Sequence, residues 1–241
     1  MANPLEQFTI KTLVPIQLGQ IDASLTNSGL FMVLTVAAIS LFLSLSMRKR
    51  LLVPGRWQSL AEISYEFIAG MIRDNVGSEG RKYFPFVFSL FMFILFANLI
   101  GLIPYAFTFT SHIVVTFAMA LVVFLGVTVI AIARHGLHFF SFFLPSGIPM
   151  LMAPVLVPIE VLSYLSRPIS LSIRLFANMM AGHTMMKVFA GFVIPLGIFG
   201  GWAPLSVDVA LTAFEFLVAF LQAYVFTVLT CLYLNDAINL H

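Results

Sequence analysis

The sequence predicts an all-α integral membrane protein with five membrane-embedded helices and one interfacial amphipathic helix, in a single membrane domain over 1–241. Three observations carry this. The 241 residues are 61% hydrophobic and only 9% charged, against about 25% charged in soluble domains, so a globule of this composition cannot cover its own surface. Long runs carry no formal charge, among them the fifty residues from Phe84 to Ala133. Two later apolar stretches are too long to stand upright in a bilayer whose hydrocarbon core is about 30 Å thick. The net charge of +2 is too small to indicate a partner.

The N-terminal residues lack the basic start, apolar core and cleavage site of a signal peptide, and they are not an Arg-rich transit sequence. The first span is expected over 28–47, which contains no Asp, Glu, Lys or Arg. A different segment follows at 57–77. There Leu60, Ile63, Phe67, Ile68, Met71 and Ile72 recur at helical spacing, with Ser59 and Glu62 as a capping box. Such a helix lies in the interface rather than crossing it. The charge-free run must break once, and Gly101 and Pro104 supply the break, giving spans over 84–104 and 113–134. The last two helices are expected over 153–192 and 205–238, with 193–204 as the turn. Wholly helical, they measure ~60 Å and ~50 Å, so each tilts, kinks or leaves the membrane. Pro168 is the expected kink.

Basic residues orient the chain. Arg48, Lys49, Arg50, Arg56, Arg73, Arg81 and Lys82 separate the first span from the second, and Arg134 follows the third. Loops 105–112 and 193–204 contain neither Lys nor Arg. The positive-inside rule then places the N-terminus outside and the C-terminus inside. The single cysteine, Cys231, excludes an internal disulfide.

No phosphate loop, metal motif or nucleophile constellation is present, and no metal, cofactor or nucleic-acid partner is expected. The chemistry falls to polar residues inside the last two helices. Glu160, Arg167 and Arg174 are seven apart, which keeps them on one helix face with about 20° of drift per step. Asn178 stays on that side, one turn on. Asp208, Glu215 and Gln222 repeat the spacing on the last helix, so two polar stripes suggest a shared seam. His183 is nine residues from Arg174, about half a revolution away, and two offset paths fit this better than one straight tube. Blander readings stand beside these. Arg167 and Lys187 can snorkel to the interfaces, Asp208 can be an exposed first-turn acid, and Glu160 can simply partner Arg167. Arg174 is harder to dismiss, because a central arginine costs about 2.5–3.5 kcal/mol on insertion scales. Its guanidinium keeps its charge and cannot relay a proton, but it can hold a carboxylate ionised and block direct passage between two half-paths. His183 and Glu215 can both titrate.

At this point the residues resemble subunit a of the F-type ATP synthase membrane sector. The likeness is carried by "RLFANMMAGH" at 174–183, "PISLSI" before it, "LQAYVFTVLTCLYL" at 221–234, "NLIGLIP" at 98–104 and "FLPSGIP" at 143–149. It spans about residues 25–238. The resemblance implies a stator in an energy-transducing membrane, beside a ring of c subunits that each bear a carboxylate. Peripheral-stalk b-type subunits, membrane lipid and, indirectly, the F1 sector are the other implied partners. Arg174 matches the family's essential arginine and Gln222 the glutamine facing it. His183 and Glu215 match the outer half-channel pair, Glu160 an inner acid, and Asn178 a polar position after the arginine, while Asp208 and Arg167 are further candidates. The last two helices are implied to form a steeply tilted hairpin. A subunit of this kind translocates protons but makes no ATP itself. A secondary transporter with a charged midplane site is the alternative, and it predicts internal repeats that are not found. A haem-bearing subunit needs axial histidines on facing helices, whereas His112, His135 and His138 read as loop residues.

Overall fold

The structure is a computed structural model that describes residues 8–15, 17–18, 21–22, 24–48, 53–103, 106–136, 139 and 152–239. Lys49, Arg50, Pro104, His138 and the 143–149 motif lie outside the described residues. The chain opens with a small β feature that the sequence did not suggest. Strands β1 (Thr12–Val14) and β4 (Leu25–Thr26) pair antiparallel around a second ladder, β2 (Gln17–Leu18) with β3 (Ile21–Asp22). Asn27 ties this hairpin to the first helix. Its Oδ1 accepts from the Lys11 amide at 3.2 Å and its Nδ2 donates to the Thr9 carbonyl at 3.1 Å.

Helix α1 (Asn27–Ser46) starts where the Thr26 hydroxyl accepts from the Gly29 amide, a side-chain N-cap. It buries Ser28, Thr35 and Ser46 and exposes Val33, Leu34, Leu41 and Leu45. In α4 (Ile113–His135), Thr116, Ala120 and Ala131 face inward while Val114, Val122, Leu125 and Val129 face out. This inversion suits lipid as solvent: helices there associate through close packing of small residues, and large apolar side chains lose nothing by facing acyl chains. Several buried hydroxyls are satisfied by bonding back one turn, as Thr35 does to Phe31 O and Thr227 to Ala223 O.

Helix α2 (Arg56–Asn75) departs from expectation in two ways. It begins after Gly55 with no side-chain cap, so Ser59 and Glu62 form no capping box, and Gln58 Nε2 donates to Glu62 Oε1 at 2.8 Å instead. Its apolar residues also divide. Ile68, Met71 and Ile72 enter the core against α3 (Phe84–Gly101) and α7 (Trp202–Ile238), while Leu60 and Ile63 stay exposed beside Trp57. Gly77, at φ 79°, turns the chain into a 3₁₀ segment, Ser78–Tyr83, that leads into α3. Helix α3 stops at Gly101, three residues short of the expected end.

Helix α5 (Ala153–Val193) is the longest element at 41 residues and passes through Pro158 and Pro168 without ending. The expected turn at 193–204 contains a short helix, α6 (Gly197–Gly200), and α7 begins at Trp202 rather than 205. Among the described residues, four helical stretches are long and apolar enough to cross a membrane: Asn27–Ser46, Ser78–Gly101, Ile113–His135 and Trp202–Ile238. Helix α5 is not among them, because charged and polar side chains recur along it. Helix α7 is the hub and packs on α2, α3, α4 and α5. Ala219, Ala223 and Cys231 are fully buried along it, and Phe226 fills the core between them.

Candidate functional site

The polar residues of α5 divide between faces. Arg174, near the helix midpoint, is exposed, and among the described residues it has no carboxylate partner. One turn further, Asn178 Nδ2 donates to Gln222 Oε1 at 2.8 Å, joining α5 to α7 at that level. Gln222 is otherwise buried, and its Nε2 has no protein partner among the described residues. His183 is buried at 7% exposure, on the other side of α5 from exposed Arg174.

On α7, Glu215 and Gln222 are buried and Asp208 is half-buried. Neither carboxylate oxygen of Glu215 has a protein hydrogen-bond donor among the described residues, nor does Asp208 Oδ1. Polar atoms in that condition are costly in an apolar setting. Glu215 Oε1 packs directly on Gly182 of α5, so the carboxyl occupies the space a side chain at 182 would fill. Glu215 therefore abuts the residue preceding His183, yet no ion pair joins the two. His183 Nε2 instead lies 3.1 Å from the Thr108 hydroxyl, in the α3–α4 connection.

An open cavity of about 750 Å³ reaches this region from the end of the molecule that carries the β-hairpin. Lys11, Asn27, Phe107, His183, Lys187 and Asp208 are among its lining residues. Its lining is mostly apolar, but it is roomy, and the polar groups of Lys11, Asn27, His183, Lys187 and Asp208 can hold water there.

The opposite end is tied differently. Arg167 Nη1 lies 3.0 Å from Asp236 Oδ2, and its guanidinium sits 5.2 Å from the Tyr164 ring centre and 4.8 Å from that of Tyr233. Tyr164 OH is in turn 2.7 Å from Thr128 Oγ1 of α4. His135 is the last residue of α4 rather than part of a loop, and its Nε2 is 3.2 Å from the terminal carbonyls of Ala237 and Ile238. Arg134 pairs with Glu79 at 3.1 Å. Glu160 is half-buried near the start of α5.

Four residues escaped the sequence reading. Asp236 lies in the last turn of the last expected helix, where an acid reads as solvated. Thr108 sits in a connection with no periodicity to mark it, and Gly182 matters only through what faces it. Asn98 was detectable, as an amide inside an apolar helix. It is fully buried, and its Nδ2 donates to Ala219 O at 3.4 Å, between the levels of Glu215 and Gln222.

These features define a class, the multi-pass helical membrane proteins, here with a polar seam between the last two long helices. Residues 29–235 match the family described as ATP synthase A chain, and the chain belongs to that family. It is 60% identical to the ATP synthase subunit a of Paramagnetospirillum magneticum, with both chains covered completely. It is 58% identical to that of Rhodospirillum rubrum, again over the whole of each. With the subunit a of Pelagibacter ubique it shares 59% identity over 99% of this chain and 98% of the relative.

Proposed function

We propose that this chain is the stator subunit a of an F-type ATP synthase membrane sector, forming two offset proton half-channels and coupling proton passage to rotation of a c-subunit ring. The observation that carries the reading is the level of Arg174, where an exposed guanidinium at mid-helix lies one turn from the Asn178–Gln222 bond. A fixed positive charge on an outward face suits a carboxylate arriving from a neighbouring subunit. A rotor carboxylate loses its proton toward one path, passes Arg174 as an anion, takes a proton from the other path and re-enters lipid neutral. A membrane potential biases the cycle by about 2.3 kcal/mol per charge per 100 mV.

In this reading the cavity ending at His183 is the outer half-channel, with Asp208 at its wall and Glu215 beyond. Glu160 belongs to the inner half-channel, with Arg167 beside it. Helix α5 is the fifth membrane-embedded element and forms a steeply tilted hairpin with α7, while α2 lies in the interface. Peripheral-stalk b-type subunits hold the stator, and the F1 sector is engaged indirectly.

The test is made on Arg174. Arg174→Lys keeps a charge but presents it as a compact, strongly hydrated ammonium that can deprotonate when buried. It is expected to abolish proton-driven ATP synthesis in inverted vesicles, normalised to assembled complex. Arg174→Ala also abolishes synthesis and lets the pH gradient decay faster. Arg174→Gln combined with Gln222→Arg restores part of it. Near-normal synthesis in the Ala variant would leave Arg174 a structural residue and defeat the mechanism.

A further inference from the structure

Thr108 makes two contacts with one hydroxyl proton. Its Oγ1 lies 3.1 Å from the Gly101 carbonyl and 3.1 Å from His183 Nε2. Gly101 is the last residue of α3, so its carbonyl belongs to the helix end whose acceptors lack intrahelical donors. Gly101 also crowds this hydroxyl, since a Cβ there would stand 3.0 Å from Thr108 Oγ1. If the hydroxyl donates to His183, the buried carbonyl loses its donor and two lone-pair-bearing oxygens face each other. If it donates to Gly101, its own lone pair accepts from the ring, and both contacts become hydrogen bonds. The second arrangement satisfies every group and is favoured, because an unmet buried acceptor costs more than an average hydrogen bond contributes.

We infer that Thr108 fixes the tautomer of His183, so that Nε2 keeps its proton throughout and protons arriving through the cavity are taken up at Nδ1. Thr108 is a positioning residue and carries no proton itself. The inference rests on the proposed role of His183 in the outer path. It adds the atom that accepts the proton and the residue, on a different element, that selects it. The imidazolium formed on uptake donates more strongly from Nε2, so the Thr108 oxygen supports it more than the neutral ring. Among the described residues, the other charged or titratable groups near His183 are Lys187 on α5, Asp208 and Glu215 on α7 and Lys11 from the hairpin, while His112, at the start of α4, stacks on Phe107 of the cavity wall. Thr108 differs from all of them in carrying no charge at any pH.

The test uses the assembled complex in inverted vesicles, with Thr108→Val, which keeps the shape, and Thr108→Ser, which keeps the hydroxyl. In the Val variant, proton uptake through the outer path falls roughly tenfold near neutral pH, the scale of losing one hydrogen bond to a charged group, and recovers at more acid pH. Thr108→Ser restores the normal rate and pH profile. An unchanged profile in the Val variant, or failure of Ser to restore it, overturns the inference. Selective ¹⁵N labelling of histidine, with His183→Gln identifying its signals, reads the tautomer without any proton transport. The unmodified complex shows Nε2–H with Nδ1 unprotonated, and Thr108→Val shows a mixture. Finding Nδ1–H in the unmodified complex rejects the tautomer assignment whatever the transport results. Unaffected transport in His183→Gln rejects instead the role given to His183.

Discussion

Gly182 and Glu215 divide a single volume at the α5–α7 seam: the helix offers a hydrogen where every other residue type has a side chain, and the carboxyl rests there. Gly182→Ala must push the carboxyl away from the His183 level. Misplacing a reacting group by on the order of 1 Å can cost on the order of 100-fold, so proton uptake is expected to fall between tenfold and that figure while the complex still assembles. An unchanged rate shows that the carboxyl relocates freely and that its seat is unimportant. The exchange His183→Glu with Glu215→His tests the proposed coupling of those two groups. It should recover part of the uptake that either neutral replacement loses, and a double variant no better than the worse single one breaks the pairing. Arg174, Asn178, His183, Glu215 and Gln222 were legible in the sequence as candidates only, because polar groups in apolar helices stand out on cost alone. Gly182 and Thr108 were not, since their meaning lies in a neighbour more than thirty residues away.

Among the elements, the Arg167 clamp joins three helices: α5 through its own backbone, α7 through Asp236 and Tyr233, and α4 through Tyr164 and Thr128. Arg167→Met keeps the apolar stem and removes the fork. Losing a hydrogen bond to a charged group is worth about 1.5–3 kcal/mol, so the solubilised complex should release or inactivate this subunit at a lower temperature. Near-normal proton conduction in vesicles at moderate temperature is expected alongside. A large loss of conduction with unchanged heat resistance would instead assign Arg167 to the proton path. The existence of α1, α3 and α4 was readable from charge-free length, and so was the break after Gly101. Element ends and the face of α2 were not. A capping box and an apolar stripe are local patterns, whereas α2 sits between a protein core on one side and open apolar surface on the other, and both environments accept the same residue types.

For the molecule as a whole, the described basic residues Arg56, Arg73, Arg81, Lys82 and Arg134 belong to segments at one end, while Lys11 and Lys187 line the cavity at the other. The expected orientation puts Arg73 and Arg81 inside and Thr9 outside. Single cysteines at these positions, read with a membrane-impermeant thiol reagent, check it cleanly because Cys231 is buried. Labelling of position 81 from the outer side would reverse the topology. The hub role of α7 also bears on how the protein is made. The helix on which α2, α3, α4 and α5 converge is synthesised after all of them. At about 5–20 residues per second, Arg174 and Asn178 leave the ribosome seconds before Gln222 exists to meet them. Through that interval the insertion machinery, rather than the fold, must shelter the charge, and a premature stop within 202–238 deletes the hub on which the earlier helices were to assemble.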